Sequence, residues 1–306
     1  MTSDRVRKES WNDKIAGYYL RFAATGAIPA QWYLPSVPPK AERAAATGKL
    51  DLEIVSHCWN YAHFLTYQLS SLVSFPPSRL AVKMTVFYTA EDTRTGALLD
   101  YFGALDVPNV TWNWQKLPKQ QLFRRSIGRN KAARETNANW IWFTDCDLLF
   151  RDDCLNVLAD ELQGRQDVLV YPRQERVTSM LADTDPMLDV DQKHGIVDID
   201  ASRFTVSERG RATGPLQIMH GDVARACGYC ESLPLYQKPS ATYCKHYEDK
   251  AFRWLLRTDG VAIDVPDVYR IRHISKGRYT GHPISNRVRS SIRRTTAWFR
   301  ERGNKV

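Results

Sequence analysis

Asp145 and Asp147, two carboxylates one residue apart, follow the apolar run WIWFT at 140–144 and precede LLF at 148–150. An apolar run of this kind reads as a buried strand, and ligands of open α/β sheets bind at the carboxyl ends of strands. Two hard oxygen donors at such an end suit Mg²⁺ or Mn²⁺, ions that keep open positions for phosphate oxygens. A metal held there neutralises the charge that grows on a diphosphate leaving group. The plain alternative is a short acidic turn left in solvent, and D-x-D alone does not separate the two.

A second acid pair, Glu248 and Asp249, stands before the helical pattern at 248–257. A hydroxyl that attacks as a leaving group departs needs a carboxylate to accept its proton. The same acids also suit the positive end of a helix. The order strand, D-x-D, then Glu-Asp before a helix favours the catalytic reading. Separately, Cys227-x2-Cys230, thirteen residues, then Cys244-x-His246 has the makings of a structural Zn²⁺ site of Cys₃His type. Against it stands simple packing of Cys227 within a helix.

Residues 128–135, GRNKAARE, followed by a strand and the D-x-D, resemble family 2 and related GT-A glycosyltransferases. There a G-x-x-x-A-R-N-like helix leads into the metal-binding strand end; here Arg129 and Asn130 precede the alanines. Tyr247-Glu248-Asp249 is similar to the family's x-E-D motif, and the resemblance runs over about 50–275. It implies an inverting transfer from a nucleotide-sugar, a UDP-sugar in the first instance, with Asp249 as base and Glu248 beside it. Asp145, Asp147 and a late imidazole, His273, would hold Mn²⁺ or Mg²⁺. The resemblance sets Ser56, His57, Trp59 and Asn60 against the nucleotide, and Glu91 and Asp92 against its base. Arg129, Asn130 and Asp145 also fall to the nucleotide-sugar. Gly214 and Gly221 lie in the segment expected beneath the donor sugar. Acceptors open on this reading are a glycan, a lipid-linked sugar and a hydroxylated base in DNA.

The elements that must position these residues alternate in type. Strands are expected at 52–58, 82–89, 110–114, 140–144 and 168–171, with helices at 65–73, 96–105, 127–137 and 154–162. This is an α/β chain of GT-A (Rossmann-like) class, a mostly parallel sheet flanked by helices, ending in a helical basic tail. Residues 173–214 are polar and read as loops. Helices at 221–229 and 248–257 and short strands at 261–265 and 269–273 complete the body. The division is a helical and Pro-rich adapter at 1–49, a catalytic domain at 50–275 (nucleotide half 50–150, acceptor half 151–275) and a tail at 276–306. Within the adapter, 11–22 shows helical spacing and 41–46 a short helical patch.

Length and composition agree with this: 306 residues, 43% hydrophobic and 25% charged, suit one large globular domain. No apolar run reaches the roughly 18–20 residues of a membrane span, and the polar start, 1–10, is unlike a secretory signal. A cytoplasmic protein with reduced cysteines is therefore expected, in reach of a membrane periphery through its tail. The net charge is +9, yet 270–306 holds eleven Lys/Arg against one acid, a net +10 that leaves −1 for the rest. Val288, Ile292, Thr295 and Phe299 in this tail have helical spacing, with Arg287, Arg289, Arg293, Arg294 and Arg300 around them. Such a helix fits an anionic membrane, a phosphate backbone, or simple docking with a solvated basic face. Two other functions compete with sugar transfer. A nucleotidyltransferase shares the metal-bound acids, but no Gly-rich, Lys-containing phosphate loop follows Val55. A non-catalytic nucleic-acid- or membrane-binding protein on this scaffold would have no use for both acid pairs.

Overall fold

The computed structural model describes residues 10–182, 184–189, 195–242 and 247–273. The tail, Cys244 and His246 lie outside the described residues.

Chain order runs α1 (Trp11–Phe22), β1 (Leu50–His57), α2 (Ala62–Ser74), β2 (Leu80–Tyr88), α3 (Thr93–Gly103), β3 (Val110–Lys116), α4 (Lys119–Leu122) and α5 (Arg125–Glu135). Then come β4 (Trp140–Phe143), β5 (Leu148–Phe150), α6 (Cys154–Leu162), β6 (Leu169–Pro172), β7 (Gln174–Thr178) and β8 (Phe204–Glu208). β9 (Gln217–His220), α7 (Gly221–Cys227), α8 (Glu248–Leu256), β10 (Val261–Ile263) and β11 (Val268–Arg270) close the series.

The main sheet has seven strands in the order β10-β6-β9-β4-β1-β2-β3. Pairs β4/β1, β1/β2, β2/β3 and β6/β10 are parallel, while β9 runs antiparallel to both β4 and β6. Strands covered on both faces need unbroken apolar runs. Ile54, Val55, Met84, Val86, Ile141, Trp142 and Phe143 meet that need and are fully buried. From β1 the chain builds outward through β2 to β3, then returns across α5 to lay β4 on the other side of β1. The strand order thus reverses between β1 and β4, the place where open α/β sheets leave a crevice for a ligand. A second sheet, β5-β11-β7-β8, stands beyond the end of β4.

The N-terminal segment expected as an adapter is strapped to the body. Leu20, Ala23 and Ala30 are buried in the core. Trp254 Nε1 donates to Ile28 O (2.9 Å), Arg257 to Leu34 O (2.8 Å) and Ala44 N to Asp222 (2.8 Å). Ala44 is bound to the body on both sides, its N–H by Asp222 and its carbonyl by His220 Nε2 (3.0 Å), so only a single 3₁₀ turn, Lys40–Glu42, stands where a longer helical patch was expected.

Candidate active site

The D-x-D turn is clamped through its backbone. Thr144 N donates to Val55 O (2.9 Å), carrying the β1/β4 pairing one residue further. Gln68 of α2 donates to Asp145 O (3.1 Å) and Leu148 O (2.8 Å), and Ile271 N donates to Asp147 O (2.9 Å). Between the acids, Cys146 turns inward and its thiol donates to His57 O (3.0 Å). The two carboxylates therefore project from a fixed turn at the reversal point of the sheet.

Their surroundings differ. Asp145 is ion-paired with Arg125 and faces Arg129 Nη2 at 3.4 Å. Arg129 is 1% exposed; its guanidinium also donates to Thr144 O (3.1 Å) and to the Tyr229 hydroxyl (2.9 Å). Tyr229 in turn donates to Gln217 Oε1 (3.1 Å), and Gln217 Nε2 reaches Asp249 O (3.4 Å). One buried chain of hydrogen bonds thus joins the strand-end acids to the first turn of α8. Asp147, by contrast, faces His273, with Nε2 to Oδ2 3.8 Å. His273 is buried against Phe64, ring centroids 4.4 Å apart, with Tyr61 edge-on at 5.5 Å.

Glu248 and Asp249 open α8 after Tyr247, which takes a left-handed conformation (φ 58°) to start the helix. Glu248 is buried, and burial pushes its carboxyl above the usual range while Arg125, Arg129 and Arg124 pull it back down. The Asp249 side chain is 36% exposed, with Arg253 Nη1 at 3.7 Å.

His57 lies beneath α5, stacked on Phe87 at 4.9 Å. Only a glycine fits above it: a Cβ at Gly128 would stand 2.2 Å from His57 Nε2. Burial, aided by Arg129 and Arg125, drives its pKa well below the usual imidazole value. Trp59, the next aromatic of this turn, is set against Phe123 with Lys119 Nζ 4.5 Å over its ring, and Lys119 also binds Glu91 (2.8 Å).

Several expected residues are occupied structurally. Ser56 binds Gln68 and Thr144, both at 2.6 Å, inside the sheet. Asp92 is buried as the N-cap of α3, accepting from Thr95 N (3.1 Å), Thr95 Oγ1 (2.7 Å) and the backbone N of Asn60 (2.6 Å). These bonds leave Glu91 as the outward acid of that pair. Asn130 faces away from Asp145 and accepts from Tyr229 N (2.9 Å), supporting the turn at Gly228. Gly214 precedes β9 on the site side. Gly221 is corrected: β9 is antiparallel to β4, with Gln217 opposite Phe143 and His220 opposite Trp140. It therefore lies about 13 Å away at the far end of the strand, where its N–H binds Asn139 O (2.7 Å). Arg125, Gln68, Tyr229 and Gln217 were not singled out from sequence. Arg125 had a readable signal, standing four residues before Arg129 and so on the same helix face.

The Asp147–His273 pair could take a divalent ion after a small shift of one side chain: donors about 2.1 Å from an octahedral ion stand about 3.0 Å apart when cis and about 4.2 Å when trans, and the 3.8 Å seen lies between the two. Among the described residues no three His, Cys, Asp or Glu side chains close into a ready metal cluster, and Asp145 is turned to the arginines. For the cysteine cluster, Cys227 Sγ meets Ser36 O (4.0 Å) while Cys230 Sγ meets Glu248 O (3.7 Å), contacts with two different segments of the chain. Burial pushes the Cys227 thiol up to about 11.

The sheet order, the reversal at β1/β4 and the helices on its faces define a GT-A-type α/β protein. Residues 111–208, spanning β3 through the D-x-D to β8, match the family described as glycosyl transferase family 2. That match covers about a third of the chain, the part that carries the D-x-D turn. No curated protein sequence matches it. Among solved structures it is similar to the mannosyltransferase PcManGT from Pyrobaculum calidifontis in complex with GDP-Man and Mn²⁺. That likeness has 17% identity, covers 87% of this chain and 70% of that one, and has a TM-score of 0.42. It is also similar to residues 1–349 of S. aureus TarS, with 13% identity, 75% and 59% coverage and a TM-score of 0.40.

Proposed function

We propose that this protein is a glycosyltransferase that moves a sugar from a nucleotide-sugar, with UDP-sugars as first candidates, to an acceptor hydroxyl in one inverting displacement. One observation carries the reading. The two acid pairs, about a hundred residues apart in sequence, are joined at the reversal point of the sheet by the path Asp145–Arg129–Tyr229–Gln217–Asp249. Such bracing fixes donor-side and acceptor-side groups relative to each other, as positioned catalysis requires.

In this reading Asp147 and His273 hold Mn²⁺ or Mg²⁺, which supplies positive charge for the departing diphosphate. Asp145, neutralised by Arg125 and Arg129, shapes the donor pocket. Asp249, the more open acid of its pair, accepts the proton of the attacking hydroxyl. Glu248 stays buried beneath the arginines and sets the start of α8. Trp59 and Glu91, linked through Lys119 at the end of β1, form the rim against the nucleotide. The acceptor is a glycan, a lipid-linked sugar or a hydroxylated DNA base.

The test is nucleotide release from a panel of UDP- and GDP-sugars with Mn²⁺, with and without chelator. Chelator-sensitive release of nucleoside diphosphate, with an inverted anomer in the product, is expected. Release of pyrophosphate would assign the site to nucleotidyl transfer. Turnover that survives chelation would remove the metal from Asp147 and His273.

A further inference from the structure

Helix α1 is amphipathic in an unusual sense: its large apolar side chains face outward. At about 100° per residue, Trp11, Ile15, Tyr18 and Phe22 fall within about 60° of one another. They are 78%, 57%, 73% and 60% exposed. The opposite face carries Ala16, Gly17 and Leu20, and it is this face that meets the body, Gly17 lying against Leu235 and Leu20 entering the core. The helix is anchored independently of the outer stripe. Ser10 and Asp13 form a capping box, and Asp13 binds Lys238 at 2.8 Å, which holds its carboxyl down at about 2. Tyr19 is joined to Tyr33 (2.7 Å) in the turn that follows Trp32, itself 74% exposed.

We propose that this outer face of α1 docks the protein on an anionic lipid bilayer. Isolated exposed apolar residues need no explanation, but a contiguous aromatic stripe on a surface helix marks an interaction site. Its composition is that of an interfacial helix, with Trp and Tyr as rings that have an apolar body and a polar tip. Charge selects the occupant. Lys14 and Arg21 flank the stripe and are exposed, while the one acid of the helix, Asp13, points to the body and is neutralised by Lys238. The chain's own basic tail would meet Lys14 and Arg21 with like charge, whereas anionic headgroups meet them with opposite charge. Twelve residues are too few to cross a bilayer, so the helix lies in its surface.

The placement has a consequence for the site. Arg21 sits 4.4 Å over the Tyr247 ring and Lys250 Nζ reaches Arg21 O (3.4 Å), so α1 abuts the turn that opens α8. Docking would set Asp249 near the membrane surface and favour a lipid-linked acceptor. This last step rests on the catalytic reading above; the docking itself does not.

The test is co-sedimentation of the full-length protein with vesicles of phosphatidylcholine alone and of phosphatidylcholine with phosphatidylglycerol, read without any activity. The wild type is expected to bind the anionic vesicles. Trp11→Ser with Phe22→Ser should bind roughly tenfold or more weakly, from lost apolar burial alone, with an unchanged melting temperature. Ile15→Ser with Tyr18→Ser should repeat the loss, and Phe22→Trp should keep binding. The basic tail is intact in every variant and cannot account for a difference between them. Three results overturn the proposal. The wild type fails to bind, the serine variants bind as well as it does, or the wild type is a dimer that Trp11→Ser with Phe22→Ser makes monomeric without any vesicle binding. The last result gives the face to a second copy of the chain.

Discussion

Replacing Gly128 with alanine should change sign in its effect on stability according to what occupies position 57. In a helix interior Gly→Ala ordinarily gains about 1 kcal/mol. Here the added Cβ would lie 2.2 Å from His57 Nε2 and 3.0 Å from Phe87 Cδ2. The imidazole has little room to retreat, because it is stacked on Phe87, a residue 1% exposed. Overpacking costs about 1–3 kcal/mol, and a 2.2 Å approach to a ring with little room to move belongs at the upper end of that range, so after the helical gain Gly128→Ala should destabilise by up to about 2 kcal/mol. At roughly 2–4 °C per kcal/mol for a domain approaching this size, the melting temperature falls by several degrees. In a His57→Ala background the 2.2 Å contact is gone, and the same substitution should be neutral or stabilising. Denaturant titration of the four proteins gives the coupling directly. An equal cost in both backgrounds would refute the packing argument and move the origin of the strain to the backbone of α5.

Asp249→Asn keeps shape and removes the proton acceptor, so turnover should fall about a hundredfold or more with donor binding preserved; near-normal turnover excludes Asp249 as base. Asp147→Ala and His273→Ala should each weaken Mn²⁺ binding by roughly tenfold or more, whereas Asp145→Asn should weaken it far less; calorimetric titration with Mn²⁺ checks this, and an equal loss in all three would make Asp145 a full ligand. His57 gives the pH dependence. Its folded-state pKa lies well below the usual 6.5, so the unfolded chain binds the proton first. The stability of the neutral ring is complete above about 6.5 and is lost as pH falls below it, by up to about 1.4 kcal/mol per pH unit. His57→Gln should flatten that slope between pH 7 and 5 in denaturant titrations, and an unchanged slope would show that other groups carry it.

The parallel half of the sheet was legible because each buried strand needs its own apolar run, and β1, β2, β4 and β6 have one; β3, an edge strand, alternates apolar and polar residues instead. The order of the acids was legible for the same reason: the strands on either side mark where a turn must fall. β7 and β8 were not, since QERVT and FTVSE are polar and become strands by pairing with each other, with Glu175 opposite Ser207. Strand preference depends on such partners more than on local pattern. β9 has only four residues and was not expected as a strand, and its antiparallel course carries Gly221 to the end away from the D-x-D turn. Asp92 carried a readable sign of its role, an Asp three residues before Thr95 at a helix start. The apolar spacing of α1 was visible, but spacing says only that one face differs from the other. Which face packs was decided by Gly17, Leu20 and the Asp13–Lys238 pair, and it was the face of small residues.

Each acid pair divides into a braced member and a presented one. Asp145 is held by Arg125 and Arg129, while Asp147 faces the His273 imidazole. Glu248 is buried and feels Arg125, Arg129 and Arg124, while Asp249 stands at the surface with Arg253. The same two guanidinium groups, Arg125 and Arg129, thus set the electrostatics of the braced acid in both pairs. Four arginines, Arg124, Arg125, Arg129 and Arg253, facing four carboxylates leave the site close to neutral. A nucleotide-sugar brings about two negative charges on its diphosphate, and a divalent ion offsets them. Donor and metal could then enter together without a large change in the charge of the site, whereas either alone would unbalance it. On the proposed reading, the arginines on α5 are therefore as much a part of the donor site as the D-x-D turn they face.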